Sequence, residues 1–578
     1  MRIALIYPPP WKIPLAGEKP DSSGEGPPAQ IVTEKILSGD ILNIPYGLLS
    51  LAAQTKKAGH DVTVLNLFTF PWQEIIKIIE KKPADLYGLS CFTSNRRGVM
   101  SLARLIRKMH PRAHIAAGGP HATAFPEELL TFNEAIDTIV IGEGEATLNE
   151  LIQSLEQRKR TAGIAGTACR ENGGVKIGPP RGRIDDLDCL VSPCTYFNEY
   201  ILITSRGCPW NCTFCSSAAI WGKKLSTHSS AYVLTMLEKI VHGHGQKTVA
   251  IKDETFTWNR NHVLDICRGI LKRNLDFLWS CDTRADALDE EMLFMMRKAG
   301  CRRISFGVES GSSRILTNLN KKISLDAVGK ATALAKHFGL QVRFYMIAGS
   351  PGETLGTLQQ SMDFIDSVKP CEVIFNPFTL FPGTQEFAVA EKKGLVSREV
   401  FFTEDFFELT PLLFEHDNPA AAKIVSWVQH NAGLQTIYRY SVQEQMEILK
   451  LFPELSSSYL DLGDAWYREG NHEEAGQCVQ QALEGGFPLP GLAYNYFACI
   501  ASRKRDLRGA LENLMHAHKH GFHRVVEKNI DSARAWIKAG GFATGRVLLL
   551  EADNSFEVTR PKMQPTTPGI LLRKGAWT

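Results

Sequence analysis

The order of apolar and polar residues predicts an α/β fold in the first 155 residues. Five short apolar runs alternate with stretches of helical spacing, a pattern typical of parallel strands joined by helices. The predicted strands cover residues 3–7, 62–67, 86–90, 114–117 and 138–141. Because doubly wound sheets bind ligands at the carboxyl ends of their strands, we expect a binding site in the loops after these runs.

Six further apolar runs follow, and the spacing leaves room for a helix after each. The predicted strands cover residues 201–205, 248–252, 277–282, 303–308, 342–348 and 372–378, with helical patterns such as 230–241 and 325–338 between them. Repeated strand–helix units form a barrel or part of one, with the chemistry at the strand ends. We predict a partial (β/α)6 barrel of the TIM type.

The remaining chain has a helical pattern and a weak repeat with an offset of 35 residues. Tyr459 matches Tyr494, Ala475 matches Ala510, and Gly486 matches Gly521. Over about 455–525 this period resembles the tetratricopeptide repeat. An alternative is two ordinary helical hairpins that cover the barrel, and the helices are also a candidate surface for a protein partner.

The predicted fold class is therefore a multidomain α/β protein with a flavodoxin-like first domain and an all-α C-terminal domain. The first domain is expected at 1–160, the barrel at 195–405 and the helical domain at 406–578. Between the first two, residues 161–194 are rich in Gly and Pro, a composition that fits short strands and a linker.

Composition excludes several classes of function. A net charge of +3 on 578 residues is too close to neutral to suggest nucleic-acid binding. Residues 1–7 are apolar only as far as three prolines, so we expect neither a signal peptide nor a transmembrane segment. Thirteen cysteines without a secretory signal indicate a reducing, cytoplasmic setting rather than a disulfide framework.

The most specific motif is the run Cys208-x3-Cys212-x2-Cys215. Three thiolates on one short loop can hold three irons of a 4Fe–4S cluster and leave the fourth iron open to a ligand. The alternative is a zinc site, which needs a fourth Cys or His at short spacing. The next candidate, His228, lies thirteen residues further on. The triad follows the first predicted barrel strand, where a functional site is expected.

Residues 195–400 resemble the radical S-adenosylmethionine (SAM) superfamily in this triad and in the order of the later loops. The resemblance implies that the open iron binds the amino and carboxylate groups of SAM. The residues it implies for SAM binding are Phe214, Asp253, Glu254, Arg284, Glu309, Ile347 and Gly349. Two alternatives stay open: the acidic pair 253–254 is a possible helix N-cap, and Arg284 is equally well placed to pair with a neighbouring acid.

The first domain resembles cobalamin-binding domains, whose pattern is DxHxxG, then SxL, then GG. The residues that the resemblance implies for cobalamin binding are Ile44, Gly47, Ser90, Thr93, Gly118, Gly119, Pro120, Gly142 and Glu143. Leu42 and Ile44 stand where the pattern has Asp and His, so we expect no histidine ligand below the cobalt. His121 is a further candidate for a contact with the nucleotide tail or at the surface. The alternative is a flavodoxin-like module that binds nothing or another nucleotide.

Together these features resemble the cobalamin-dependent radical SAM enzymes. The resemblance implies a 4Fe–4S cluster, SAM and cobalamin as cofactors, with an external electron donor of the flavodoxin or ferredoxin type. It implies methyl transfer to an unactivated carbon or phosphorus of a small-molecule or lipid-like substrate. Two alternatives remain: a cobalamin-containing oxidative cyclase or rearrangement enzyme, and a non-catalytic cobalamin-sensing or scaffold protein.

Overall fold

The structure is a computed structural model that describes residues 1–10, 45–68, 70–403, 433–521, 523–541, 548–554 and 570–571, with 423–424, 426–427 and 430–431. It contains two mainly parallel sheets followed by a group of helices. Within these residues we find no helix with the length and apolar character needed to cross a membrane.

The five strands predicted for the first domain form one parallel sheet. They are β1 (Arg2–Tyr7), β2 (Asp61–Asn66), β3 (Leu86–Ser90), β4 (His114–Gly118) and β5 (Thr138–Val140). Their spatial order is β2-β1-β3-β4-β5, the order of flavodoxin-like folds. The fold class predicted for this domain is confirmed.

Two hydrophobic cores explain why β1 is apolar throughout. Ile3, Leu5 and Tyr7 belong to one core, whereas Ala4 and Ile6 belong to the other. Neighbouring side chains of a strand point to opposite faces, so a sheet covered on both faces needs continuous apolar strands. The helices of this domain are Tyr46–Lys57, Trp72–Lys81, Arg96–Met109, Pro120–Ala124, Pro126–Phe132 and Gly144–Glu156.

The segment predicted as a linker adds two strands to the first sheet. β6 (Thr167–Glu171) pairs antiparallel with β5, and β7 (Gly174–Ile177) pairs antiparallel with β6. Short 3-10 turns at Leu187–Cys189 and Pro193–Thr195 then lead into the second sheet. The first sheet therefore extends beyond residue 160, and Asn172 and Gly173, both with a positive φ, form the turn of the added hairpin.

The second sheet is an open, partial barrel. Its parallel strands are β8 (Ile201–Leu202), β11 (Thr248–Ile251), β12 (Leu278–Thr283), β13 (Cys301–Glu309), β14 (Gln341–Ala348) and β15 (Glu372–Pro377). They lie side by side in chain order, and β16 (Gly433–Thr436) closes one edge antiparallel to β15. Between β8 and β11, β9 (Ser205–Arg206) and β10 (Ser226–Thr227) form a small antiparallel ladder.

Helices connect the strands of this core as predicted. They are Ser217–Trp221, Ser230–Glu238, Arg260–Lys272, Glu290–Lys298, Ser313–Asn318, Leu325–His337, Leu355–Val368, Gln385–Lys392 and Val400–Thr403. A π turn at Lys239–Gly243 and a 3-10 turn at Phe256–Trp258 complete the described elements. The core cluster of this domain runs along the sheet and includes Trp279, Phe306 and Phe344.

The C-terminal helices cover the amino ends of the core strands. They are Val442–Leu451, Ser456–Arg468, His472–Glu484, Pro490–Arg503, Leu507–Lys519 and Arg524–Lys538. Asp461 forms a buried ion pair with Arg302 near the start of β13, and Phe452 lies 5.2 Å from Phe294 between ring centroids. The helices thus cover the core, while a tetratricopeptide repeat that binds a partner stays a prediction. A last strand, β17 (Ile570–Leu571), pairs with β2.

Candidate active site at the interface of the two sheets

The three motif cysteines lie in the loop between β9 and β10, here called the cluster loop (residues 207–225). Two residue pairs of the β9–β10 ladder close this loop. Gly207, its first residue, has a φ of +100°, and a β-carbon there would lie 2.6 Å from the carbonyl oxygen of Lys224. Only glycine lets the two ends of the loop cross this closely.

The thiols of Cys208, Cys212 and Cys215 are free and partly exposed. Burial raises the pKa of Cys215 to about 11, and the two other thiols add to the shift. Among the described residues no three His, Cys, Asp or Glu side chains are grouped tightly enough for a single metal ion. A 4Fe–4S cluster does not require the three sulfurs to converge on one ion, because each thiolate binds a different iron.

Contacts with the rest of the core hold the cluster loop in place. The amide of Thr213 donates to the carbonyl of Leu319 over 3.0 Å, and Asn320 Nδ2 donates to the carbonyl of Asn211 over 2.6 Å. The guanidinium of Arg284 stacks 4.4 Å from the ring centroid of Trp210. The loop position is therefore set by the residue that follows β12 and by the turn that follows the helix Ser313–Asn318.

Several buried polar atoms near the loop have no hydrogen-bond partner among the described residues. They are Thr213 Oγ1, Ser217 Oγ, Ser350 Oγ and Glu353 Oε1. A buried polar atom without a partner is costly, so these atoms of the cluster loop and of the turn after β14 are candidates for contacts with a polar ligand. Two of the residues expected to contact SAM, Phe214 and Ile347, pack on one apolar cluster in this region. The polar and apolar surfaces together suit an amphipathic molecule such as SAM.

Gly349, also expected to contact SAM, follows β14 with a φ of +88°. Its amide donates to Glu353 Oε2, as does the amide of Ser350. The carboxylate of Glu353 therefore fixes the turn that follows β14 through Oε2, while Oε1 accepts no hydrogen bond from the described residues.

Glu309, at the end of β13, forms a buried ion pair with Lys321. Lys321 Nζ lies 2.7 Å from Glu309 Oε1. Glu309 has a φ of +71°, an unusual conformation for a residue with a side chain. Such strain persists only where the surroundings fix it and often marks a functional site. Lys321 was not singled out from the sequence, because its neighbour Lys322 is an exposed lysine with the same local signal.

The carboxylate of Asp253 is occupied by protein donors. It accepts hydrogen bonds from the amide and hydroxyl of Thr204 and from the hydroxyl of Ser205, over 2.6, 2.5 and 2.7 Å. Burial raises its pKa to about 6. Asp253 thus ties the end of β11 to the chain just before the cluster loop. The capping alternative does not hold, because the nearest α-helix, Arg260–Lys272, is capped by Asn259.

The neighbouring Glu254 reaches solvent and stays available to a ligand. It accepts a long hydrogen bond, 3.3 Å, from the amide of Gly207. Although part of this side chain is exposed, the protein around the carboxylate excludes much of the water from it, and this desolvation, with the charge of Asp253, raises the pKa of Glu254 to about 7.

Arg284 pairs with a neighbouring acid, the second of the two alternatives left open by the sequence. Its Nε and one terminal nitrogen donate to the Asp286 carboxylate over 2.9 and 2.8 Å. The carbonyls of Lys321 and Lys322 accept its remaining bonds over 3.0 Å each. The guanidinium is thereby engaged by protein groups on its edge and by Trp210 on its face.

The residues expected to bind cobalamin lie at the carboxyl ends of the first sheet. Ser90 and Gly118 end β3 and β4, and Gly119 has a φ of +104° with no room for a β-carbon, which would lie 2.9 Å from the Cys91 carbonyl oxygen. At Gly47, in the first turn of the helix Tyr46–Lys57, and at Gly142, after β5, a β-carbon would meet no atom of the described residues within 4 Å. Leu42 and Ile44 lie outside the described residues.

His121, which follows Pro120, is an interior residue rather than a loop contact. Its Nδ1 lies 3.2 Å from Thr93 Oγ1, and its ring packs edge-on against Phe125 and Phe401. Burial lowers the pKa of His121 to about 3, with Arg96 adding to the shift. His121 is therefore neutral and fixes Thr93, one of the expected cobalamin residues.

The chain that leads into the cluster loop and the expected cobalamin-binding region meet at the interface of the two sheets. Arg206, two residues before Cys208, lies 2.7 Å from the carboxylate of Glu143 and 2.6 Å from that of Glu145. Glu143 was expected to contact cobalamin, but its side chain faces the second sheet. Arg206 and Glu145 were missed, because no local pattern reveals a partner 61 residues away.

Comparison with known families agrees with both halves of this interface. A family model described as the B12 binding domain matches residues 42–152, and that of the radical SAM superfamily matches residues 202–365. An uncharacterized methyltransferase of Pyrococcus horikoshii, PH0819, is 32% identical over 365 residues, which cover 60% of this chain and 78% of that protein. The chain belongs to the radical SAM superfamily, in the group that carries a B12-binding domain. The cofactors expected from the sequence are those of this family.

Two other relatives of this radical SAM protein differ in their reactions. Cytidylyl-2-hydroxyethylphosphonate methyltransferase of Streptomyces wedmorensis is 25% identical over 423 residues, covering 61% of this chain and 79% of that protein. Anaerobic magnesium-protoporphyrin IX monomethyl ester cyclase of Rubrivivax gelatinosus is 27% identical over 393 residues, covering 64% and 69%. The solved structure of the methyltransferase TsrM from Kitasatospora setae has the same fold, with a TM-score of 0.57 and 18% identity over 83% of this chain and 99% of that one.

Proposed function

We propose that this radical SAM enzyme is a methyltransferase that uses cobalamin as methyl carrier. Its target would be an unactivated carbon or phosphorus of a small-molecule or lipid-like substrate. The observation that carries the proposal is the meeting of the cluster loop and the cobalamin-type strand ends at one interface, joined by Arg206 and Glu143. Two of the three relatives described above are named as methyltransferases.

In this proposal the cofactors supply the chemistry and the chain supplies position and surroundings. A reduced cluster supplies the electron that cleaves SAM, and cobalamin supplies a methyl group. Cys208, Cys212 and Cys215 would hold the cluster. Phe214, Ile347, Gly349, Glu254 and Glu309 would line the SAM site, with the unpaired oxygens near them as polar contacts. Gly47, Ser90, Thr93, Gly118, Gly119, Pro120 and Gly142 would surround cobalamin.

Two buried charged residues beside the cluster loop, Asp253 and Arg284, have their hydrogen-bonding groups engaged by other protein groups. Asp253 and Arg284 hold the two sides of the cluster loop through protein contacts. They would therefore orient the cysteines rather than touch SAM. A rigid frame of this kind keeps reacting atoms in place and excludes water.

The runner-up is an oxidative cyclase or rearrangement enzyme with the same cofactors. The observation in its favour is the cyclase relative, which this chain matches over 69% of its length. A non-catalytic scaffold is disfavoured by the family membership and by the intact cysteine triad.

An anaerobic assay with labelled SAM separates these functions. The protein is reconstituted with iron, sulfide and hydroxocobalamin, then supplied with reductant, methyl-deuterated SAM and pooled small-molecule and lipid extracts. A methyltransferase forms S-adenosylhomocysteine and 5′-deoxyadenosine and transfers the label to a product. Deoxyadenosine with no label in any product, in the presence of a consumed substrate, would favour the cyclase. A Cys208→Ala, Cys212→Ala, Cys215→Ala variant is the matched control and should form neither 5′-deoxyadenosine nor a labelled product.

The electron donor is proposed to be a flavodoxin- or ferredoxin-type protein. The same assay tests it by replacing the chemical reductant with a reduced flavodoxin and its reductase. Turnover that depends on the flavodoxin is expected, and turnover only with the chemical reductant would contradict this part of the proposal.

A further inference from the structure

A buried triad of charges joins the first sheet to the cluster loop. It consists of Arg206, Glu143 and Glu145, whose side chains are each no more than 7% exposed. Glu143 and Glu145 flank the start of the helix Gly144–Glu156, directly after β5. Arg206 is the last residue of β9 and precedes the cluster loop.

Each member of the triad has a further partner that fixes its orientation. Ser50 Oγ donates to Glu145 over 2.8 Å, and the amide of Ile184 donates to Glu143 over 2.7 Å. The guanidinium carbon of Arg206 lies 5.5 Å from the ring centroid of Trp221, inside the cluster loop. The arrangement is therefore determined from both sides of the interface.

Glu145 is held in its ionised form despite its burial. Burial alone would raise the pKa of Glu145, but the charge and hydrogen bond of Arg206 outweigh it and lower that pKa. A buried ion pair adds little net stability compared with apolar packing, yet it is costly to break and its best-attested role is to fix register. This suggests a role in alignment rather than in stability.

The triad is a direct, charged connection between the two cofactor regions. Gly142, which follows β5 and was expected to contact cobalamin, is adjacent to Glu143. Arg206 is separated from Cys208 by one glycine. One carboxylate–guanidinium contact thus links the edge of the cobalamin region to the first cluster cysteine.

We propose that Arg206 is a positioning residue that couples cluster binding to cobalamin binding. Binding of the 4Fe–4S cluster would fix the position of Arg206 and, through it, the positions of Glu143 and Gly142. In this position the strand end would bind cobalamin more tightly. Such linkage is reciprocal, so cobalamin would favour cluster retention by the same factor. The inference rests on the proposed function, in which one site uses both cofactors.

The test measures the dissociation constant of hydroxocobalamin before and after anaerobic reconstitution of the cluster. In the unaltered protein we expect reconstitution to tighten cobalamin binding by about fivefold or more, the lower range of allosteric couplings. In Arg206→Met the two constants should agree to within about twofold. The measurement needs no methyl transfer, so its failure is distinguishable from failure of the proposed function.

Arg398→Met is the matched control. Arg398 lies 3.1 Å from Glu128 across the same interface, but it is half exposed and distant in sequence from the cluster loop. This variant should keep the full coupling. If it loses the coupling as Arg206→Met does, the effect belongs to domain docking in general and the role of Arg206 is overturned.

Two further variants keep the proposal testable if Arg206→Met folds poorly. Glu145→Gln preserves the shape of the side chain and removes one charge of the triad, and Arg206→Lys keeps the charge but not the two-armed geometry. Both should bring the ratio of the two constants close to one. If the role of the triad is purely structural, the variants will be less stable but will keep the ratio of the unaltered protein, and this result contradicts the proposal. A ratio close to one in the unaltered protein would also contradict it.

Discussion

The ammonium of Lys321 lies 2.7 Å from the carboxylate of Glu309, and both side chains are buried where β13 ends. Gly307 makes room for this pair, because a β-carbon there would lie 2.7 Å from Glu309 Oε1 and 3.1 Å from Lys321 Nζ. The pair therefore depends on a glycine in the strand and on a strained backbone at Glu309 itself.

Replacement of Lys321 by Met should destabilise the core. It leaves the Glu309 carboxylate buried without its cation, a change that typically costs about 3–5 kcal/mol. The measurement is urea unfolding of the barrel. Lys330→Met is the control, since Lys330 pairs with Asp326 on an exposed helix face and should give no measurable change. Equal effects of the two substitutions would contradict a structural role for the buried pair.

Alanine at any one of Cys208, Cys212 and Cys215 should abolish stable cluster binding. Each thiolate is expected to hold a different iron, and no other cysteine lies within the cluster loop to replace it. The measurement is iron and sulfide per chain after anaerobic reconstitution. Cys189→Ala removes an exposed thiol outside the loop and should leave the iron content unchanged. Four irons retained by a single loop variant would refute the assignment.

Alanine at Gly207 should strain the closure of the cluster loop. Its φ of +100° disfavours a side chain, and the new β-carbon would meet the Lys224 carbonyl. We expect a loss of about 1–3 kcal/mol, as for other forced backbone conformations, with weaker cluster retention. Gly174→Ala, at a position where a β-carbon meets nothing within 4 Å, is the control for general effects of alanine. A stable, fully loaded Gly207→Ala protein would show that the loop end is not constrained.

His523 should make the C-terminal helices less stable in acid. Burial lowers its pKa to about 4 in the folded state, below the ordinary value of 6.5. The unfolded chain therefore binds the extra proton, and the stabilisation is complete above pH 6.5 and is lost as the pH falls toward 4. From pH 7.5 to pH 5 the loss attributable to this group is about 2 kcal/mol.

Hydrogen exchange of the helices Pro490–Arg503 and Arg524–Lys538 measures this loss locally. A β-carbon at Gly491 would lie 2.9 Å from the His523 ring, so both helices depend on its packing. His523→Gln should flatten the pH dependence even if it lowers stability overall. The exposed His242 provides the control, and its replacement by Gln should leave the pH dependence of these helices unchanged.

The strands and the position of the cluster loop were predictable because they follow local patterns. Continuous apolar runs such as residues 3–7 are required by a sheet with a core on each face. The three cysteines were recognisable from their spacing along the chain. The hairpin at β6 and β7 was less visible. Its glycines were compatible with a linker as well as with turns.

The assignment of individual polar residues depended on long-range partners and was harder to predict. Asp253 accepts hydrogen bonds from Thr204 and Ser205, which lie 49 and 48 residues earlier in the chain. Glu143 turns toward Arg206 at a separation of 63 residues. A sequence reports that a carboxylate stands at a strand end, but which donor reaches it is decided by how two sheets pack.

The stacking of Arg284 on Trp210 gives the cluster loop an optical probe of its own. Trp210 lies between the first two motif cysteines, and its face is covered by a guanidinium that the rest of the core holds fixed. Its emission should therefore be quenched when an iron–sulfur cluster forms beside it and recover when iron is chelated. The difference between the unaltered chain and Trp210→Phe would follow assembly of the loop in real time, without turnover and without a substrate.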